Sequence, residues 1–187
     1  MAVTNRENCV MIRWRPLGFA AIAIATGCLA ACGSCGASDR KADPAAESDA
    51  SQEAWGAHFD LPPGWTGGQN ESGGYEFTDG DNALMVGHHA IAEARSLDDF
   101  FDERRRALAV EIGELADSAR SERTLHGKRT IALSGRAAID GGSVEVRLVV
   151  ANLGANEGLS LIMVGDAANA SRLDQAWHRV LDSLRLP

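Results

Sequence analysis

From Trp55 onward the apolar residues recur with two different periods, and the period changes from one stretch to the next. Between Arg129 and Ile139, the residues Ile131, Leu133, Ala137 and Ile139 share one face at a spacing of two. After Asp140-Gly141-Gly142, Val144, Val146, Leu148 and Val150 do the same. Such alternation predicts a hairpin whose strands each bury one face. Tyr75 to Phe77 and Ala83 to Ile91 flank Asp79-Gly80-Asp81-Asn82, a second hairpin signal. His58 to Leu61 reads as a short strand stopped at Pro62-Pro63-Gly64-Trp65, because proline lacks the amide that a ladder requires. Leu159 to Val164 is almost wholly apolar, the pattern of a central strand covered on both faces.

Two stretches change to helical spacing. Ser96-Leu97-Asp98-Asp99 supplies an N-cap with an acid three residues on, and Leu97, Phe101, Arg104, Leu108 and Ile112 follow as one stripe. Ser171-Arg172-Leu173-Asp174 opens the second helix in the same manner, with Leu173, Trp177, Val180, Leu181 and Leu184 as its stripe. With no internal repeat, this order of strands, helix, strands and helix predicts one α+β domain. Its expected architecture is a single antiparallel β-sheet flanked by helices on both faces.

The amino-terminal third is organised differently. Arg6, Arg13 and Arg15 precede an apolar run, Leu17 to Ala31, that is too short and too rich in Ala and Gly for a spanning helix, which needs about 20 strongly apolar residues. The run ends in Leu29-Ala30-Ala31-Cys32-Gly33, which resembles the lipobox of bacterial lipoprotein signals. That resemblance implies cleavage before Cys32 and lipidation of its thiol, so that the protein is exported and held at the cell membrane by its anchor. It also implies that Gly33 permits sorting to the periplasmic face of the outer membrane in a diderm host. An ordinary secretory signal with a chance cysteine is the alternative, and Met11 is an alternative start. Cys28 is the weaker acceptor because no leucine stands three residues before it.

Between Gly33 and Ala54 the chain is mainly Ala, Ser, Asp and Glu without sustained apolar periodicity, and it reads as a disordered tether. The expected organisation is a signal peptide over 1–31, a lipid-anchored tether over 32–54 and a folded domain over 55–187. Only Cys35 would remain as a free thiol, so the domain is expected to be held by its core without disulfides. Loss of the leader takes the formal charge from -8 to -10, since three Arg and one Glu leave with it. Such acidity argues against nucleic acid as a partner and is explained most simply by solubility.

Phe59-Asp60-Leu61-Pro62-Pro63-Gly64-Trp65, the Ser96-Leu97 helix start, the long hairpins and the closing Val180-Leu181-Asp182-Ser183-Leu184 together resemble the PsbP-like superfamily, which includes DcrB-like and LpqN-like lipoproteins. The resemblance spans the exported domain and implies an antiparallel sheet with helices, used mainly for binding and assembly. No functional residue carries over by motif.

Candidate chemistry is sparse. His88-His89 invites a metal reading, but adjacent strand residues point to opposite faces, so the two imidazoles are not expected to share an ion. A site would need one of them with distant ligands such as His58 or His126. Arg104-Arg105-Arg106 reads as a solvated helix face following Asp98, Asp99, Asp102 and Glu103, with Asp102 and Arg106 four apart, rather than as an anion patch for lipid headgroups. Asp174 and His178 have the same spacing and the same reading. Gly67-Gly68 and Gly73-Gly74 bracket a loop that lacks a phosphate-binding lysine, and its functional alternative is a mobile recognition loop near Trp65 and Tyr75. Gly-x-Ser-x-Gly and His-Glu-x-x-His are absent, and the domain has no cysteine nucleophile. The expectation is a non-catalytic binding or assembly lipoprotein: no cofactor, no metal, no catalytic residue, lipidation at Cys32, a monomer whose partner is an envelope protein or small ligand. The alternatives are an envelope hydrolase with an unmarked, dispersed site and a purely structural lipoprotein.

Overall fold

The computed structural model describes residues 50–187 except 93–94, 140 and 155. Cys32, the leader and most of the expected tether lie outside the described residues. The last part of that segment, Ala50–Ala54, is strand β1, paired antiparallel with β2 (Ala57–Leu61) across a Trp55-Gly56 turn. Both turn residues have positive φ, as a two-residue hairpin turn of this hand requires.

The other strands are β3 (Thr66–Gln69), β4 (Tyr75–Thr78), β5 (Asn82–Ala90), β6 (Ala116–Leu125), β7 (Lys128–Ile139), β8 (Gly142–Gly154) and β9 (Glu157–Asp166). They form one antiparallel sheet in the order β3-β4-β5-β9-β8-β7-β6. The apolar Leu159 to Val164 run therefore lies at the middle of the sheet, as its composition predicts. Alternate residues of β9 feed two cores. Leu159, Leu161 and Met163 pack with Leu173, Trp177 and Val180 of α2 (Ala170–Ser183), and Ile162 and Val164 pack with Phe101 and Leu108 of α1 (Leu97–Ile112).

The expected architecture, a single sheet flanked by helices on both faces, is corrected by this arrangement. Strand predominates, a second two-stranded sheet is present, and that β1–β2 ribbon shares with α2 the cover of one core. The reason is dimensional. A helix about 10 Å across spans about two strands spaced about 4.8 Å apart, so two helices leave much of a seven-stranded sheet without helical cover. Strand β6 is exposed along almost its whole length.

Three local features differ from the sequence reading. The Gly67 to Gly74 stretch is a hairpin, because β3 pairs with β4 and Asn70 N–H donates to Gly74 O at 2.7 Å. Strand β6 carries no apolar alternation and is formed by pairing with β7. Helix α2 begins one residue before Ser171, following a 3-10 turn at Ala167–Asn169 whose first amides are capped by Asp166, which accepts from Ala168 N–H at 2.9 Å. Ser96 does cap α1. It accepts from Asp99 N–H at 3.1 Å while the Asp99 carboxylate accepts from Ser96 N–H at 3.0 Å. Among the described residues no helix is long and apolar enough to cross a membrane.

Candidate functional site

The histidine pair separates as strand geometry requires. His88 stacks on Trp55, with ring centroids 5.3 Å apart and planes 23° apart, and lies 3.9 Å from the Glu157 carboxylate. His89 turns to the other face, where its ring lies 5.4 Å from that of Phe100 on α1. Among the described residues no three His, Cys, Asp or Glu side chains converge as a metal site. His58 is near Glu53, and His126 meets the Arg185 guanidinium at 2.9 Å, so neither joins the pair.

His89 belongs instead to a half-buried polar trio that the sequence does not reveal. Its Nε2 lies 2.8 Å from the hydroxyl of Ser160 on β9, and Arg104 of α1 approaches its Nδ1 at 3.3 Å. Gly87 makes room for this contact, since a Cβ there would sit 2.8 Å from His89 Nε2. Burial, then the Arg104 charge, then His88 push the imidazole down to about 4, so it is neutral near pH 7. A guanidinium can only donate, so Nδ1 accepts and Nε2 carries the proton toward Ser160. That tautomer is opposite to the one a histidine needs to take a serine proton. The pair has the spacing of a nucleophile and base but the wrong proton arrangement, and an arginine stands where an orienting carboxylate is required.

The second constellation lies beside α2. On β8 the residues opposite to the Val144 to Val150 stripe begin polar and end apolar: Glu145 and Arg147, then Val149 and Ala151. Glu145 is 5% exposed and accepts from Arg136 of β7 and, at 2.9 Å, from Arg147. Burial drives its carboxyl upward, but the two arginines outweigh it and hold the group below the usual carboxylate range. Arg147 donates to Asp174 of α2 at 2.8 Å, which tightens the helix against the sheet. Asp174 therefore pairs across the fold rather than with His178. Asp117, Ser134 and Gly135 complete the lining of a cavity of about 290 Å³ around this network. Arg136, also in the lining, is about half exposed. Fixed charges of both signs around an open cavity suit recognition of a polar group, and no lining residue is a serine paired with a base.

On α1, Asp98 accepts from Arg129 at 2.8 Å and from Arg120, and those bonds, Arg129's first, take its carboxyl down to about 2. Arg104 faces the sheet, whereas Arg105 and Arg106 are exposed, and Arg106 Nε donates to the Asp102 carbonyl rather than its carboxylate. Trp65 is buried in the core. The available signal for the second constellation was the change from polar to apolar along one face of β8. Nothing in the sequence marked Ser160 as a partner of His89, because 71 residues separate them.

No protein family's sequence model matches the chain, and no curated protein matches it. Solved structures do. LpqN of Mycobacterium tuberculosis, described as involved in cell envelope biogenesis, aligns with a TM-score of 0.53 at 14% identity over 70% of this chain and 83% of that one. Cyanobacterial PsbP (CyanoP) of Synechocystis sp. PCC 6803 aligns with a TM-score of 0.58 at 15% identity, covering 83% of this chain and 98% of its own. The Ran-binding protein Mog1p of Saccharomyces cerevisiae gives 0.52 at 10% identity, covering 75% and 96%. At these identities the likeness establishes a shared PsbP-like fold and nothing about chemistry.

Proposed function

We propose that this chain is a lipid-anchored module of the bacterial cell envelope, tethered through Cys32, that binds or assembles with another envelope component rather than catalysing a reaction. The observation that carries the binding reading is the fixed, mixed-charge cavity at Glu145, Arg147 and Arg136. Its charges are locked by each other and by Asp174, which favours recognition of a partner over proton transfer. The fold shared with LpqN, described as involved in cell envelope biogenesis, supports the location. The partner is an envelope protein or a small polar ligand.

Two measurements test the two halves of the reading. Cys32→Ser is expected to abolish labelling by an alkyne fatty acid, and undiminished labelling would remove the anchor. A photo-crosslinking residue in place of Ser134 in intact cells is expected to capture an envelope component, identified by mass spectrometry, with capture reduced by Arg136→Glu. Capture unaffected by Arg136→Glu would place recognition elsewhere on the molecule.

A further inference from the structure

We propose that β6 is an interface at which two copies of this chain join edge to edge, antiparallel, about a two-fold axis through Ser121. This goes beyond the proposed function, does not depend on it, and replaces the monomer expected from the sequence with a dimer. The sheet has two edges of very different character. Strand β3 is four residues long, whereas β6 has ten residues, pairs among the described residues with β7 alone and is exposed over almost all of them. A long edge presents unpaired amides and carbonyls to any strand of matching register.

The register that β6 accepts follows from its hairpin. Leu125 pairs with Lys128 across His126-Gly127, both with positive φ, so the two-residue turn closes on a hydrogen-bonded pair. Pairing alternates from there, and Arg123 opposite Thr130 and Ser121 opposite Ala132 bond inward to β7. Arg120, Glu122 and Thr124 therefore turn their amides and carbonyls outward. A second β6 satisfies these groups only in registers that place even-numbered residues opposite one another. Arg120 opposite Arg120, or Glu122 opposite Glu122, sets like charges face to face, which is destabilising. Centring on Ser121 instead puts each Arg120 opposite the other copy's Glu122, twice, and no like charges meet.

The side chains are already placed for this. Arg120 and Glu122 lie on one face of β6, with Arg120 Nη2 3.2 Å from Glu122 Oε1, and both join a network with Asp98 and Arg129. Pairing two copies would fuse two such networks into one. The irregularity between Ala116 and Ala119 limits the pairing to the segment that carries the complementary charges.

The test uses the full chain and the geometry of the axis. Ser121 would face its twin as a non-hydrogen-bonded pair with Cα atoms about 4.5 Å apart, within the roughly 4.4–6.8 Å that a disulfide spans. Thr124 is equally exposed, but two copies of it would lie about 20 Å apart, six residues of offset along the strand. Under mild oxidation, Ser121→Cys is expected to give disulfide-linked dimers about tenfold above both Thr124→Cys and the unsubstituted chain, whose own cysteines set the background. Equal yields in the three would overturn the proposal, and so would capture of a different protein by Ser121→Cys. Sedimentation supplies the second reading. Glu122→Arg should shift the chain toward monomer, and adding Arg120→Glu should restore the dimer. An unsubstituted chain that remains monomeric at every concentration would also refute it.

Discussion

His89 offers the most quantitative test of the half-buried polar trio. Its imidazole is lowered from the usual 6.5 to about 4, by burial first, then by the Arg104 guanidinium, then by His88. Because the folded value lies below the unfolded one, the unfolded chain takes up the proton first as pH falls. The stability that the neutral ring contributes is thus complete above about pH 6.5 and is lost progressively as pH falls toward about 4. Integrating the two titrations between about pH 7.5 and 5 gives a loss of about 2 kcal/mol, a sizeable part of a total that is ordinarily about 5–15 kcal/mol. The carboxylates lose their contributions in a lower window. Asp98 falls from 3.8 to about 2, and Glu122 and Glu145 are held below their usual 4.5, so their losses fall mainly below the interval from about pH 7.5 to 5. Comparison with His89→Gln, which keeps an amide near Ser160 but cannot be protonated, isolates the term. Urea unfolding followed by tryptophan fluorescence should show the advantage of the native residue shrinking by about 2 kcal/mol between those two pH values. A difference that stays constant with pH would refute the neutral, half-buried imidazole, and a nitrogen-15 spectrum placing the proton on Nδ1 would refute the tautomer.

The other predictions concern packing, backbone and metal. Trp177, 6% exposed on the α2 stripe, should cost about 3–5 kcal/mol when truncated to Ala, lowering the thermal midpoint by on the order of 10 °C; an unchanged midpoint would contradict its burial. Gly67→Ala should destabilise by about 1–3 kcal/mol, since φ is 149° and a Cβ would meet Glu76 O at 2.0 Å, whereas Gly68→Ala, with nothing within 4 Å, should cost less in the same melt. Calorimetric titration with zinc should give no tight site that is lost in both His88→Ala and His89→Ala, because the two rings face different cores; loss in both would overturn the β5 assignment.

Elements whose own residues carry a periodic signal were legible before any fold was known. The alternation from Ile131 to Val150 gave β7 and β8, the unbroken Leu159 to Val164 run gave the central strand, and the Ser96 box with its stripe gave α1, because each pattern reflects burial of that segment's own side chains. The divergence of His88 and His89 was equally legible, since it follows from the two-residue repeat of any strand. The remainder depended on how the elements meet in the fold. Strand β6, Ala-Asp-Ser-Ala-Arg-Ser-Glu-Arg-Thr-Leu, has no apolar face to reveal it and exists because β7 offers a backbone ladder. The extent of helical cover depended on how many strands joined the sheet, which no single segment encodes. The pairing of His89 with Ser160, and of Arg147 with Asp174, required residues 71 and 27 positions apart to meet, and only the strand order and the seating of α2 bring them together.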